Sequence, residues 1–211
     1  MENIDALIVT LTKEAQAVKP APHPFRLSLT WLVLAAIYLA LSLALFGFRP
    51  DILAQFHRPW FAAEFAALVC VLFTTSLSAA LLSFPDLHQI RRWAFAPLAA
   101  FALLLVVLGF AWLADNPPAP LPVHGFECTL SIAFFSLLPA VWTLLVMRHF
   151  ASTHAPWAGS VALLFAFSVG ALWLRVYEVT DSIVHLVEWH YLPMLGIGIF
   201  GLWLGTKILK W

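Results

Sequence analysis

LSLTWLVLAAIYLALSLALF, residues 27–46, runs for twenty positions without Asp, Glu, Lys or Arg. A hydrocarbon core of about 30 Å takes about 20 apolar residues of helix, so this stretch reads as a helix that crosses a bilayer. Five more stretches apolar and long enough to cross follow it: Phe61–Leu82, Trp93–Ala114, Cys128–Met147, Pro156–Leu174 and Tyr191–Leu209. Apolar residues make up 63% of the chain and charged residues 10%, which leaves a water-soluble domain of this size too little polar surface to cover itself. The expected fold is an all-α integral membrane protein with six transmembrane helices in residues 25–211, preceded by an amphipathic helix and a Pro-rich spacer in residues 1–24.

Basic residues alternate in number between the two ends of the spans. Lys13, Lys19, Arg26, Arg91, Arg92, Arg148, Lys207 and Lys210 fall on one side, and Arg49, Arg58 and Arg175 on the other. Short cytoplasmic segments retain Lys and Arg, so eight against three puts both termini in the cytoplasm of a multi-pass inner-membrane protein. The acids Glu2, Asp5 and Glu14 precede the first span, which runs longer than a signal-peptide core and is expected to stay as an anchor.

In the N-terminal arm Ile4, Leu7, Ile8, Leu11, Ala15 and Val18 recur at three- and four-residue steps and form one apolar stripe, while Glu2, Asp5, Lys13, Glu14 and Gln16 avoid it. Pro20-Ala21-Pro22-His23-Pro24 then breaks the helix with an extended spacer. A helix lying on the lipid surface is one reading of such a stripe. Those helices carry several Lys or Arg residues and an anchoring aromatic, whereas residues 1–18 hold one Lys, three acids and no aromatic, which favours docking in a partner's groove.

The loops opposite the arm gather His57, Glu64, His124, Glu127, Cys128, Glu178, Asp181, His185, Glu188 and His190. Imidazole, carboxylate and thiolate are the usual transition-metal ligands, and loops meeting at one face can assemble a site that none contains alone. Glu178, Asp181, His185 and Glu188 fall at steps of three, four and three, the pattern of one stripe on an interfacial helix with Val179, Ile183, Leu186 and Val187 opposite. The plain alternative is that these groups only hydrogen-bond to one another. Glu64 lies about one turn inside the second span and needs a partner there, with Arg58 or a loop histidine in reach. Cys70 lies about 15 Å deeper than Cys128 at helical rise, so a disulfide between them is not expected, and Cys70 reads as a small core residue.

Within the spans, Gly198, Gly201 and Gly205 sit at three- and four-residue steps that let another helix approach closely. Pro97 and Pro139 read as helix starts or kinks, and the many Trp residues near span ends as interfacial anchors.

Taken in order, several short pieces resemble one family. They are Ile4-Asp5-Ala6-Leu7, Phe48-Arg49-Pro50-Asp51 after the first span, Arg91-Arg92-Trp93 before the third and Glu127-Cys128 opening the fourth, then Asp181-Ser182 with Trp189-His190, and the basic Lys207-Ile208-Leu209-Lys210-Trp211 ending. The chain resembles the NrsF-type membrane anti-sigma factors over nearly its whole length. The resemblance implies that residues 1–24 hold an extracytoplasmic-function sigma factor, with Ile4, Asp5, Leu7, Ile8, Leu11, Ala15 and Val18 as the contact set, and that a periplasmic metal or oxidative signal releases it. Its other implied partners are membrane lipids, with no direct contact to nucleic acid and the oligomeric state open. Family members are similar in using outer-face cysteines, one at the position of Cys128; a second, in a His-Cys-Pro-Glu-Asp-Ser stretch, aligns here with Glu178, and its preceding His with Tyr177. A carboxylate in place of a thiol moves the ligand set toward harder donors, so metal sensing is expected over thiol oxidation, with zinc or copper as signal and no obligatory cofactor. Ligand or proton binding is expected to draw the second, fourth and fifth-to-sixth junctions together and alter the presentation of the arm.

Other classes fit less well. A small metal-ion or solute transporter, or a channel subunit, predicts polar residues through the spans, and no Lys, Arg or Asp stands there at mid-depth. A haem protein needs histidines facing each other within spans, and the eight histidines here lie in the arm, loops and span ends. No pattern of nucleophile, base and orienting group suggests an enzyme.

Overall fold

The computed structural model describes residues 2–14, 22–85, 91–114, 125–150 and 152–210. Among them are no strands. Helix α1 (Glu2–Glu14) is followed by α2 (Pro24–Phe46), a short α3 (Ile52–Phe56) and α4 (Pro59–Leu82). A 3₁₀ segment (Arg91–Phe95) leads into α5 (Ala96–Ala114), and α6 (Phe126–Arg148) and α7 (Ala155–Tyr177) follow. The last span begins as α8 (Ile183–His185), passes through a π turn (Leu186–Tyr191) and continues as α9 (Leu192–Ile208). Six of these helical segments are long and apolar enough to cross a membrane, the architecture of a multi-pass membrane protein.

Prolines set several of the starts. Pro24, Pro59 and Pro156 sit in the first turn of α2, α4 and α7, where the missing N–H costs nothing. Pro97 has the same place in α5, and Pro139 is buried inside α6.

The fifth span is the axis of the bundle. Helix α7 packs against α2, α4, α6 and α9, and its residues from Ala158 to Arg175 are buried without a break. Its sequence allows this because Ala158, Ala162, Ala166 and Gly170 recur every fourth residue and let neighbours come close. Against α9 the approach is backbone to backbone: a Cβ at Gly201 would lie 2.6 Å from the Cα of Ser160, and one at Gly159 or Gly205 would overlap the facing main chain. The glycine steps of the last span therefore have their partner in α7. Helix α2 lies at the periphery, with Leu29, Val33, Ile37, Leu41 and Leu45 exposed every fourth residue as a lipid-facing row.

Three expectations need correction. Residues 178–182 are not helical, so Glu178, Asp181, His185 and Glu188 share no helical stripe, and the residues from Ile183 onward extend the sixth span instead of lying flat. Cys70 is exposed on the outward side of α4 and is not a core residue. Glu64 pairs with neither Arg58 nor a histidine; its partner is Arg175. On α1, Ile4, Leu7, Ile8 and Leu11 are exposed, Asp5 belongs to the same helix, and Ala15 and Val18 lie outside the described residues.

Candidate functional site

Two polar clusters meet at the end of the bundle where α2 ends and α4 begins. The first grows from the end of α2. Gly47, at φ +89°, takes a backbone conformation nearly closed to other residues and swings Phe48 and Arg49 over α7, where the Arg49 N–H donates to the Val176 carbonyl at 3.0 Å. That bond satisfies a carbonyl in the last turn of α7 that has no partner within its own helix. The Arg49 side chain is 1% exposed. Its guanidinium donates to Asp51 at 2.7 and 3.0 Å and, through two nitrogens, to Asp181 at 2.8 Å each.

Asp181 also accepts from Arg175 Nη1 at 2.8 Å, and Arg175 donates to Glu64 through Nε and Nη2 at 2.9–3.0 Å. Tyr191 donates its hydroxyl to Glu64 in a short bond, and the Phe61 ring lies 4.4 Å below the Arg175 guanidinium. Asp181 is therefore shared by two arginines from separate elements, and Glu64 is satisfied by the fifth and sixth spans. A carboxylate at this depth persists because both of its oxygens have donors.

The charges on the loops follow. Burial pushes the Asp181 carboxyl up, but the hydrogen bonds from Arg49 and then Arg175 outweigh it and hold the group below its ordinary 3.8. Asp51 is likewise held below its ordinary value by the Arg49 hydrogen bonds and then by Gln55, and Arg49 is raised by Asp181 and Asp51 in return. A carboxylate depressed in the folded state adds stability that is complete above its unfolded value and is lost as pH falls through the folded one. Purified protein should therefore lose several degrees of Tm on acidification from about pH 5 to about pH 3, and Arg49→Gln should make that slope shallower. A midpoint unchanged across this interval in the unmodified protein would show that the Arg49 clamp adds nothing to stability.

The second cluster joins α6, the loop after α7 and the π turn. Cys128 Sγ donates to Glu178 Oε1 at 3.3 Å, and His190 Nε2 lies 3.1 Å from Glu178 Oε2. His185 Nε2 is 3.2 Å from Glu178 Oε1 but outside hydrogen-bond alignment, so both ring nitrogens of this 1% exposed histidine are buried with no hydrogen-bond partner. Burial pushes the Glu178 carboxyl up, but the hydrogen bond with His190 outweighs it, and its value falls below the usual one.

The π turn makes this cluster. On an α-helix, residues five apart point about 140° away from each other, so His185 and His190 would face different sides. A turn with i→i+5 bonding brings them together, with ring centroids 5.3 Å apart. Its cause is in the sequence: Pro193 has no N–H to give the Trp189 carbonyl four residues back, and Thr129 Oγ1 of α6 donates to that carbonyl at 2.6 Å instead. Gly125 completes the docking, since any side chain there would meet the Trp189 indole.

One donor atom from each of Cys128, Glu178, His185 and His190 lies within 4.8 Å of the other three. A thiol, a carboxylate and two imidazoles suit zinc or copper, and one of the two unpartnered nitrogens of His185 gains a partner if an ion is held there. The residues thus fit a transition metal. Asp181 and Glu64 belong to the arginine cluster instead; Glu127, next to Cys128, acts on its thiol only through its charge, and Glu127, Glu188 and His57 are not in the four-residue ligand group. His124 lies outside the described residues. Arg49, Arg175 and Tyr191 are site residues that the sequence reading does not single out; the signal for Arg175 is a cation at the end of one span matched in depth by the lone Glu64 of another.

A family model described as NrsF, negative regulator of sigma F, matches residues 11–211, nearly the whole chain. No curated protein and no solved structure matches it.

Proposed function

The chain belongs to the NrsF family, the negative regulators of sigma F, and from that premise we propose that it holds an extracytoplasmic-function sigma factor at the bacterial inner membrane. In this reading both termini are cytoplasmic, the N-terminal arm binds the sigma factor, and a metal on the periplasmic face releases it. The observation that carries the reading is the segment 178–182. It supplies a donor, Glu178, to the Cys128 cluster and, three residues on, the carboxylate of Asp181 that clamps Arg49. Arg49 stands just past one end of α2, and the arm leads into the other end.

Cys128, Glu178, His185 and His190 would hold the ion. Bound there, it supplies positive charge beside Glu178. The protein's own part is mechanical: Glu178 is drawn toward Cys128 and the two histidines, Asp181 moves with it, and Arg49 passes the change to α2. Ligand at about 1,000 times its Kd adds about 4 kcal/mol to the state it prefers, enough to turn an equilibrium of about 1:30 into about 30:1. Metal is favoured over disulfide chemistry because the other cysteine, Cys70, faces outward from α4, within a span.

For the arm, support comes from the exposed row Ile4, Leu7, Ile8 and Leu11 on α1, an apolar face of the kind that docks in a partner's groove. The family match begins at Leu11, inside this helix.

The test uses the full-length protein, purified from host membranes, with retained proteins identified by mass spectrometry. A sigma factor is expected, absent when residues 1–24 are deleted and released by zinc or copper. Cys128→Ser should raise the metal concentration needed by at least about tenfold. Membranes that retain no sigma factor would overturn the reading and put the transporter class ahead. Retention without residues 1–24 would move the contact off the arm, and an undiminished metal response in Cys128→Ser would remove that thiol from the site.

A further inference from the structure

The Cys128 cluster is assembled against a cost. His185 is buried with both ring nitrogens unpartnered, beside the His190 ring and the Glu178 carboxylate that both histidines approach. A buried polar group without a partner is expensive to keep. An α-helical course for the same residues would turn His185 and His190 about 140° apart and dissolve the cluster. Whatever holds the π register therefore decides whether the cluster exists.

Two residues act on one carbonyl to hold it. In the π turn the Leu192 N–H donates to the Val187 carbonyl, five residues back. On an α-helical course the Trp189 carbonyl would need the N–H of residue 193, which is proline, and the Pro193 ring would press on that same carbonyl. Pro193 thus closes the α register without giving Trp189 a partner. Thr129 Oγ1 gives it one at 2.6 Å, from the first turn of α6. Gly125, just before that turn, leaves room for the Trp189 indole, so one short stretch seats both the main chain and the side chain of Trp189. Cys128, the residue before Thr129, brings the thiol. One turn of α6 therefore carries a donor atom of the cluster and also the hydroxyl that fixes the segment bearing two others.

We infer that Thr129 is the positioning residue of the metal site. Its hydroxyl, bound to the Trp189 carbonyl, keeps His185 and His190 turned toward Cys128 and Glu178, and Pro193 bars the α-helical alternative. The inference rests on the metal reading of the cluster and deepens it: affinity for the ion is set in part by two residues that offer it no ligand atom. Tyr191 lies in the same turn and donates to Glu64, so the register that Thr129 holds also fixes a contact of the arginine cluster.

Titration of the full-length protein in detergent with zinc, and separately with copper(I), against chromophoric chelators measures affinity, and X-ray absorption at the edge of the retained metal counts the imidazoles on it. The unmodified protein should show both His185 and His190 on the ion. Thr129→Val keeps the shape of the side chain and loses the hydroxyl; it should weaken the metal at least about tenfold and lower the imidazole count, and Thr129→Ser should restore both. Pro193→Ala gives Trp189 an α-helical donor, so it should raise the Tm and yet weaken the metal, which separates the register from general damage to the fold. Affinities within about twofold of the unmodified protein in Thr129→Val and Pro193→Ala overturn the role of Thr129 and leave the metal site standing. A loss in Thr129→Val that Thr129→Ser does not recover also overturns it, since the effect then belongs to the packing of the methyl group. If the unmodified protein retains neither metal, the metal site itself falls and the inference falls with it.

Discussion

Arg175→Met should lower the stability of the folded bundle by about 3–5 kcal/mol, the cost of leaving buried carboxylates without their cation. Arg175 binds Glu64 through two nitrogens and Asp181 through a third, and it is 2% exposed with Glu64 at 4%. Removing it leaves Glu64 with only the Tyr191 hydroxyl, while Asp181 keeps Arg49. The penalty is therefore concentrated on one carboxylate. Glu64→Leu in the same chain should recover most of the loss, because two apolar side chains replace an ion pair whose desolvation largely cancelled its attraction. Unfolding of the single and double variants in mixed micelles measures both numbers. A single variant within about 1 kcal/mol of the unmodified protein, the range of an exposed pair, would mean that water reaches Arg175 and that it is not sealed in the bundle.

Gly201→Leu should be comparably severe, and for a different reason. A Cβ at Gly201 already comes within 2.6 Å of the Ser160 Cα, so the obstacle is main chain on both sides and no rotamer relieves it. Overpacking in a core typically costs about 1–3 kcal/mol, and a contact with backbone on both sides belongs at or above the upper end. Helices α7 and α9 must move apart, which disturbs the whole bundle because α7 is its axis. The control is on the same helix: a Cβ at Gly196 would have nothing within 4 Å, so Gly196→Leu should leave the Tm nearly unchanged. Equal effects at the two positions would show that helix propensity, and not the α7–α9 contact, sets the cost.

Both predictions rest on α7, whose centrality hydropathy alone does not reveal. Its mean hydropathy, 1.8, is lower than that of α2, at 2.3, yet α7 is buried almost throughout and α2 faces lipid. In a membrane every span must be apolar, whether it meets lipid or protein, so the contrast that marks a core in water is missing. What distinguishes α7 is small size every fourth residue, a packing signal with little weight in hydropathy.

Composition and spacing along single segments were enough to establish the six crossings, the close-packing glycines of the last span and the family. They also named all four residues of the Cys128 cluster within a larger set of acids and histidines. Which members of that set meet was settled by packing between segments. His185 and His190 are brought together by a π turn that a proline in one span opens and a threonine from another completes, a register that α-helical spacing excludes. Glu64 and Asp181 went to Arg175 and Arg49 because a buried charge takes the nearest opposite charge in space, and helix packing across 111 and 132 residues of chain sets that distance.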